Sequence, residues 1–544
     1  VSAGMDSMTP VLSVRGLSVR FLMPGGRRVA AVTDARFDVA PGECLALIGE
    51  SGCGKSVLAS ALLGLLPGNA QTAGSALLGD LDLLTAGERT LARTVRGRLI
   101  GLVPQSPAAH LTPVRTVRSQ LEETVAALTS TRGRAALRAA AEAAAERAAF
   151  PADHLDRHPH QLSGGLAQRA ATALALVGDA PLLLADEPTT GLDRDLVDRT
   201  ADELRRHVDD PGAGGRGRAL LMITHDLAAA ERIADRVAVM YAGRIVELAD
   251  AAAFFGSPGP RHPYSRGLLQ ALPDRAFTPI PGSLPNSATS RPAAPSPPAA
   301  TAPPTPAPPS RPPARSPAIT RTCRRTSVLE LRSITAGYVR NAPVVRNVSL
   351  TVARGESVGL LGPSGCGKST LARVAALLHR PDSGTLLLDG EPVRRWRHRA
   401  PREKRTAFGV VFQQARLSAD PRLPLTDLIA EPLRATGRGA EVPARIAELA
   451  PVVGLTPDLL TRRPHEVSDG QLQRACLARA LVLRPRLLVC DEMTAMLDAS
   501  TAAALVAAVE DYRAATGAAL LAVGHDRALL RRWCDRTVQW DSLA

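Results

Sequence analysis

The chain carries GESGCGKS at Gly49–Ser56 and, 313 residues later, GPSGCGKS at Gly362–Ser369. Each octet follows a short apolar run, Cys44–Ile48 or Ser357–Leu361, and precedes a stretch with helical spacing, Ser56–Leu66 or Ser369–Leu378. Strand, glycine loop and helix in that order form a phosphate-binding unit. The loop's backbone N–H groups point inward, and the helix N-terminus adds partial positive charge. Two copies of the unit predict two α/β domains in one chain.

Working outward, both copies have the same followers in the same order. Fully apolar Leu182–Ala185 ends in Asp186-Glu187, and Leu487–Cys490 ends in Asp491-Glu492. Such runs are expected as buried parallel strands. A first carboxylate at the strand end suits Mg²⁺, and a second beside it suits polarisation of an attacking water. Ser163 lies 24 residues before Glu187, and Ser468 lies 24 before Glu492. The gaps from Glu187 to His225 and from Glu492 to His525 are 38 and 33 residues. This is duplication of a whole domain rather than a short-period repeat.

Between loop and acids stand LSGGLAQR (Leu162–Arg169) and VSDGQLQR (Val467–Arg474). With Gln105 and Gln413 at strand ends, His225 and His525 in Thr-His-Asp and Gly-His-Asp, and the short segments Gly191-Leu192-Asp193 and Met496-Leu497-Asp498, the set resembles the ATP-binding cassette ATPases. The resemblance spans nearly the whole chain outside one proline-rich segment. It implies two P-loop NTPase domains, each with a parallel-sheet core, an antiparallel subdomain and a helical subdomain. It also implies a head-to-tail sandwich, with each ATP between one phosphate loop and the other half's signature helix.

On that resemblance Gly49, Ser51, Gly52, Gly54, Lys55, Ser56 and Val57 would cradle one nucleotide. Gly362, Ser364, Gly365, Gly367, Lys368, Ser369 and Thr370 would cradle the second. Ser56, Gln105 and Asp186 would hold one Mg²⁺, and Ser369, Gln413 and Asp491 the other. Glu187 and Glu492 would be the bases, with His225 and His525 on the γ-phosphate. Ser163, Gly164 and Gly165, and Ser468, Asp469, Gly470 and Gln471, would contact the opposite nucleotide. Phe21 and Tyr338 are candidates to stack on adenine, although Phe21 equally fits an ordinary core aromatic.

Two residues depart from the pattern. Leu166 stands where the signature has Gln, a mild change. Asp469 stands where it has Gly, facing the ATP of Lys55. A carboxylate about 4 Å from a phosphate costs on the order of 4 kcal/mol at an effective dielectric of 20, and little if turned outward. Unequal sites are expected, that of Lys368 and Ser163 being at least as active.

The segment Pro279–Pro317 holds 15 of the 44 prolines and predicts an extended tether reaching about 100 Å. The expected division is 1–255 for the first cassette, 256–282 for an extension, 283–326 for a disordered linker and 327–544 for the second cassette. YAGRIVELADAAAFFGSPGPRHPYSRGLLQALP (Tyr241–Pro273) resembles the extension of oligopeptide, dipeptide and nickel importer ATPases, with His262-Pro263-Tyr264 its most specific part. That resemblance implies two separate permease subunits, an extracytoplasmic binding protein and a place on the cytoplasmic face of the membrane. Peptides are the expected cargo, with nickel or a metal chelate as the alternative.

Tandem-cassette translation factors are a further alternative, disfavoured because their linkers are charged and helical. Of the net charge of +14, the segment Pro279–Ser327 supplies +6 with no acid, so a solvated linker accounts for it better than a nucleic-acid surface. Seven scattered cysteines without a CxxC pair suit reduced thiols, and no iron–sulfur cluster is expected. No apolar stretch approaches the roughly 20 residues of a membrane span. Val1–Pro10 shows no export-leader pattern, and no second extension is expected near Ala544.

Overall fold

The computed structural model describes residues 9–190, 192, 194–210, 218–280, 326–339, 342–363 and 365–543. The linker expected over 283–326 therefore lies outside the described residues, except for Thr326. So do Ser364, Gly191 and Asp193.

Each half has two sheets. In the first, an antiparallel sheet pairs Leu12–Leu22 with Arg28–Val39 on one side and Ala70–Leu78 on the other. The second half repeats it with Ser327–Ala336 between Val345–Ala353 and Ser383–Leu388. The other sheet is mainly parallel and carries the motifs. Its order in the first half is Arg244–Asp250, Arg236–Tyr241, Cys44–Ile48, Ala219–Thr224, Leu182–Asp186 and Ile100–Val103. In the second half, read from the opposite edge, it is Phe408–Val411, Leu487–Asp491, Ala519–Gly524, Ser357–Leu361 and Arg536–Gln539.

This order positions the site. The strand before each phosphate loop lies beside the strand that ends at the histidine, and the carboxylate strand follows next. Because these strands are parallel, all three motifs emerge at one carboxyl edge, where open α/β sheets bind ligands. The strands are held by burial on both faces. Leu182, Leu184, Leu220 and Leu221 are wholly buried, and each side chain contributes about 2 kcal/mol of apolar transfer.

The loop helices begin one residue before the expected start and end sooner, at Lys55–Leu62 and Lys368–Ala375. Gly64 explains the first stop: its φ of +62° gives the left-handed turn that closes a helix. The helical subdomains contain Val117–Leu128, Arg134–Arg147 and Gly164–Leu176, matched by Leu425–Ala435, Val442–Val452 and Asp469–Leu481.

The extension reaches across the molecule. Its helix Pro263–Gln270 packs beside the second half's helix Ala499–Thr516. Beyond it, the Ile280 N–H donates to Ser500 Oγ at 3.1 Å. Arg532 donates to the Ala276 carbonyl at 2.6 Å and lies over the Phe277 ring at 5.9 Å. Phe277 itself packs on the second half's apolar core.

Candidate functional site

The phosphate loops are built alike. Gly54 and Gly367 sit at φ of +111° and +113°, directly before their helices. A Cβ on Gly54 would lie 2.3 Å from the Ala31 carbonyl oxygen, so only glycine fits. The Leu58 N–H donates to the Gly54 carbonyl and closes the first helical turn. The preceding amides of Lys55, Ser56 and Val57 belong to the helix start, where N–H groups have no partner within the helix. They suit phosphate oxygens, as do those of Lys368, Ser369 and Thr370.

The two lysines are buried. Lys55 Nζ donates to the Gly49 carbonyl at 2.7 Å and the Glu50 carbonyl at 3.2 Å. Lys368 Nζ donates to the Gly362 and Pro363 carbonyls at 2.7 and 2.6 Å. Ser56 Oγ donates to Asp186 Oδ1 at 3.2 Å, and Ser369 Oγ to Asp491 Oδ1 at 2.9 Å. A hydroxyl paired with a carboxylate is a hard-oxygen donor set, which fits Mg²⁺ completed by phosphate and water oxygens. Burial, with a smaller push from Glu187, raises Asp186 to about 6, against the Ser56 hydrogen bond and Lys55.

Glu187 and Glu492 take φ of +51° and +46°, a left-handed conformation uncommon for non-glycine residues. Their N–H groups donate to the Ile223 and Val523 carbonyls, which fixes each carboxylate at its strand end. Glu187 Oε1 lies 3.9 Å from Lys55 Nζ, and Glu492 Oε1 lies 3.8 Å from Lys368 Nζ. The surroundings then diverge. His225 Nδ1 is 2.5 Å from Glu187 Oε2, whereas His525 Nδ1 is 3.5 Å from Glu492 Oε1, a charge contact rather than a hydrogen bond. Gln413 Nε2 donates to Glu492 Oε2 at 2.9 Å. Gln105 is exposed and makes no corresponding bond to Glu187 among the described residues.

Burial pushes the Glu187 pKa up, but the His225 and Lys55 charges outweigh it and hold the carboxyl below its ordinary value. The same opposition leaves Glu492 low. Both carboxylates are therefore ionised at neutral pH, the form that polarising a water would require.

The signature helices start at Ser163 and Ser468, whose hydroxyls accept from the Leu166 and Gln471 N–H groups. In the second half Gln471 Oε1 also accepts from the Ser468 N–H at 3.1 Å, closing a reciprocal cap. Leu166 cannot return that bond. Asp469 turns toward Arg416 of its own half, with 2.6 Å between Oδ1 and Nε. Arg416 lies in the short helix Ala415–Ser418, where Ser418 Oγ also meets Cys476 Sγ at 3.6 Å.

The halves meet head to tail at the first loop. The Ser51 N–H donates to Asp498 Oδ2 at 3.4 Å. The Glu50 carboxyl is raised by burial first and by Asp498 next, while Ser500, Tyr264 and Arg474 draw it down. Arg474 belongs to the second half's signature helix. A cleft of about 860 Å³ between the halves is lined by both histidines, Glu492 and Pro363.

The two adenine candidates differ in setting. Tyr338 is 57% exposed, its hydroxyl accepting from Arg373 on the loop helix at 2.7 Å. Phe21 packs partly buried against its own half's core, the ordinary role left open for it. Sequence reasoning missed Arg416, Arg474 and Ser500 and assigned no task to Tyr264. Only Tyr264 left a signal, through the His-Pro-Tyr motif.

The model of the family described as ABC transporter matches residues 32–190 and again 345–495. The oligopeptide transport ATP-binding protein OppD of Mycobacterium tuberculosis is 35% identical over 96% of this chain and 92% of its own length. The glutathione import ATP-binding protein GsiA of Pectobacterium atrosepticum is also 35% identical, over 96% and 83%. The peptidoglycan transport ATP-binding protein YejF of Agrobacterium fabrum is 34% identical, over 96% and 89%. Among solved structures, a chain in the complex of archaeal ribosomal stalk protein aP1 and ribosome recycling factor aABCE1 matches with a TM-score of 0.58, covering 96% of this chain and 87% of that one. At 20% identity that likeness concerns the fold alone.

Proposed function

This chain belongs to the ABC transporter family, and from that premise we propose that it is the ATP-hydrolysing subunit of a peptide importer, acting with separate permeases. It is an ATPase of two fused cassettes. The observation that carries the coupling is the first loop, where Glu50 and Ser51 sit against Asp498 and the Arg474 helix of the other half. A phosphate bound there bridges both halves, so hydrolysis releases the bridge. Fusion in one chain raises the effective concentration of each half for the other.

In each site the loop amides and lysine bind the β- and γ-phosphates. Glu187 or Glu492 accepts a proton from the attacking water; His225 orients the first carboxylate and Gln413 the second. Ser56 with Asp186, and Ser369 with Asp491, would hold Mg²⁺, which when bound neutralises phosphate charge. Transition-state stabilisation thus comes mainly from preplaced charge.

No described helix is long and apolar enough to cross a membrane, so passage through the bilayer falls to other chains. Two permeases and an extracytoplasmic binding protein, with this chain at the cytoplasmic face, complete the reading. The relatives named for oligopeptide, glutathione and peptidoglycan transport support a peptide-like cargo. An iron–sulfur cluster is not part of it, because 281–325 contains Cys323 as its sole cysteine after the extension.

The test is co-purification with the permeases, then reconstitution in liposomes with the binding protein. Peptide should raise ATP turnover several-fold. Stimulation by nickel or a chelate alone would overturn the peptide assignment, and ribosome association without permeases would overturn import.

A further inference from the structure

The Gly49–Glu50 peptide unit is gripped at both ends. Its carbonyl accepts from Lys55 Nζ at 2.7 Å, and its N–H donates to Tyr264 Oη at 3.0 Å. Tyr264 lies 214 residues away, in the first turn of the extension helix Pro263–Gln270. It is buried, and its ring packs on Tyr241 with centroids 4.4 Å apart. The His262 side chain caps this turn by accepting from the Tyr264 N–H at 3.2 Å. The hydroxyl is thus delivered to the loop by a fixed ring on a capped helix.

The second loop has no use for such a grip. Pro363 occupies the position of Glu50, and proline has no N–H to donate. There Trp540 packs against the loop instead: a Cβ on Gly362 would fall 2.7 Å from the Trp540 Cβ. One loop is braced by a polar side chain from outside the cassette fold and the other by an apolar wall.

We propose that Tyr264 is a positioning residue of the first nucleotide site, fixing the Gly49–Glu50 peptide and through it the Lys55 ammonium. The physical sense is direct. A peptide whose N–H is engaged presents a more polarised carbonyl, so Lys55 is aimed while the loop amides keep their inward direction. The same phenol ties the loop to the extension, whose Ile280 N–H holds Ser500 of the other half. Burial first, and the neighbouring Glu50 carboxylate next, keep the phenol protonated at all working pH.

The inference rests on the first loop holding ATP. A Lys368→Ala parent, in which the second loop is silenced, isolates that site. MgATP binding by this parent, measured by titration calorimetry, checks the site assignment by itself. Tyr264→Phe, which keeps the ring on Tyr241, then tests the brace. We expect its Kd to rise about tenfold, equivalent to about 1.4 kcal/mol and in keeping with one buried N–H left unpaired. In a Lys55→Ala parent, which reads the second loop, the same change should leave the Kd within about twofold.

A double-mutant cycle gives the sharper readout. Glu50→Pro gives the first loop the residue of the second and removes the N–H itself. On that background Tyr264→Phe should add no further loss. An unchanged Kd in the Lys368→Ala parent, or the same tenfold loss with Glu50→Pro in place, overturns the proposal.

Discussion

The two nucleotide sites share every motif and differ in what holds the base. In the first, Glu187 is bound by His225 at 2.5 Å, and Gln105 stays exposed. In the second, Gln413 binds Glu492 at 2.9 Å, and His525 stands off at 3.5 Å, its Nδ1 buried without a hydrogen-bond partner. The signature helices differ as well, with an open Gly164 in one and an Arg416-paired Asp469 in the other. Equal motifs therefore do not make equal sites. The carboxylate's neighbour decides how freely it can meet water, and that neighbour is chosen by packing outside the motif.

The largest expected effect comes from removing each base in turn. Glu187→Gln and Glu492→Gln should each lower the turnover of their own site by about 10²–10⁴-fold. Total turnover of the chain then reports how the work is divided. We expect Glu492→Gln to cost more of it, because in the head-to-tail pairing that the family resemblance implies the Lys368 site would face Ser163 and two glycines, and the Lys55 site Asp469. Equal losses in steady-state ATPase assays would break the comparison.

Legibility followed sequence distance. The strands at Cys44–Ile48 and Ser357–Leu361 are legible because short, mostly apolar runs lead into glycine loops, and both carboxylate strands because four contiguous apolar residues lead into Asp-Glu. The cap at Ser468 is equally local, Ser and Gln three apart forming a reciprocal pair within one turn, although no cap was expected there. The base's partner is not local. Gln413 and Glu492 are 79 residues apart, and their bond depends on rotamers set where two strands end. The brace from Tyr264 and the Ile280–Ser500 bond cross 214 and 220 residues. No local pattern encodes such a pairing.

A second difference lies behind the sites and should appear as acid sensitivity. His207 on the helix Arg194–Asp209 stands 14 residues after Asp193; Tyr512 stands 14 after Asp498 on the matching helix. Burial first, then the Arg218 and Arg147 charges, depress His207 from 6.5 to about 4. The folded state thus keeps it neutral where the unfolded chain would protonate it. Its contribution is intact above about pH 6.5, shrinks as pH falls below that value, and is lost by about pH 4. The loss is on the order of 3 kcal/mol. Tyr512 instead donates to the Pro485 carbonyl, and burial keeps its phenol protonated.

The first half should therefore unfold before the second on acidification. All three tryptophans, Trp396, Trp533 and Trp540, lie in the second half. Far-ultraviolet dichroism should thus fall at a higher pH than tryptophan fluorescence changes. His207→Tyr, which installs the second half's residue, should bring the two transitions together. Coincident transitions in the unaltered chain would remove this contrast.

The smallest effect isolates Asp469. Left unpaired and near a γ-phosphate, its charge would penalise the Lys55 site strongly, but the Arg416 guanidinium sits on it at 2.6 Å. Both side chains are about half exposed, so solvent screens the pair and its worth is about 1 kcal/mol at most. Arg416 also donates to the Pro464 and Val467 carbonyls, so truncation could disturb the chain before the signature helix. Arg416→Gln keeps a donor while removing the charge. On a Glu492→Gln background, where the first site supplies the turnover, it should slow hydrolysis about fivefold. Adding Asp469→Gly should restore the rate, since no carboxylate then needs neutralising. If the rate stays low, Arg416 serves the helix start rather than the charge, and the inequality of the sites must come from the partners of Glu187 and Glu492.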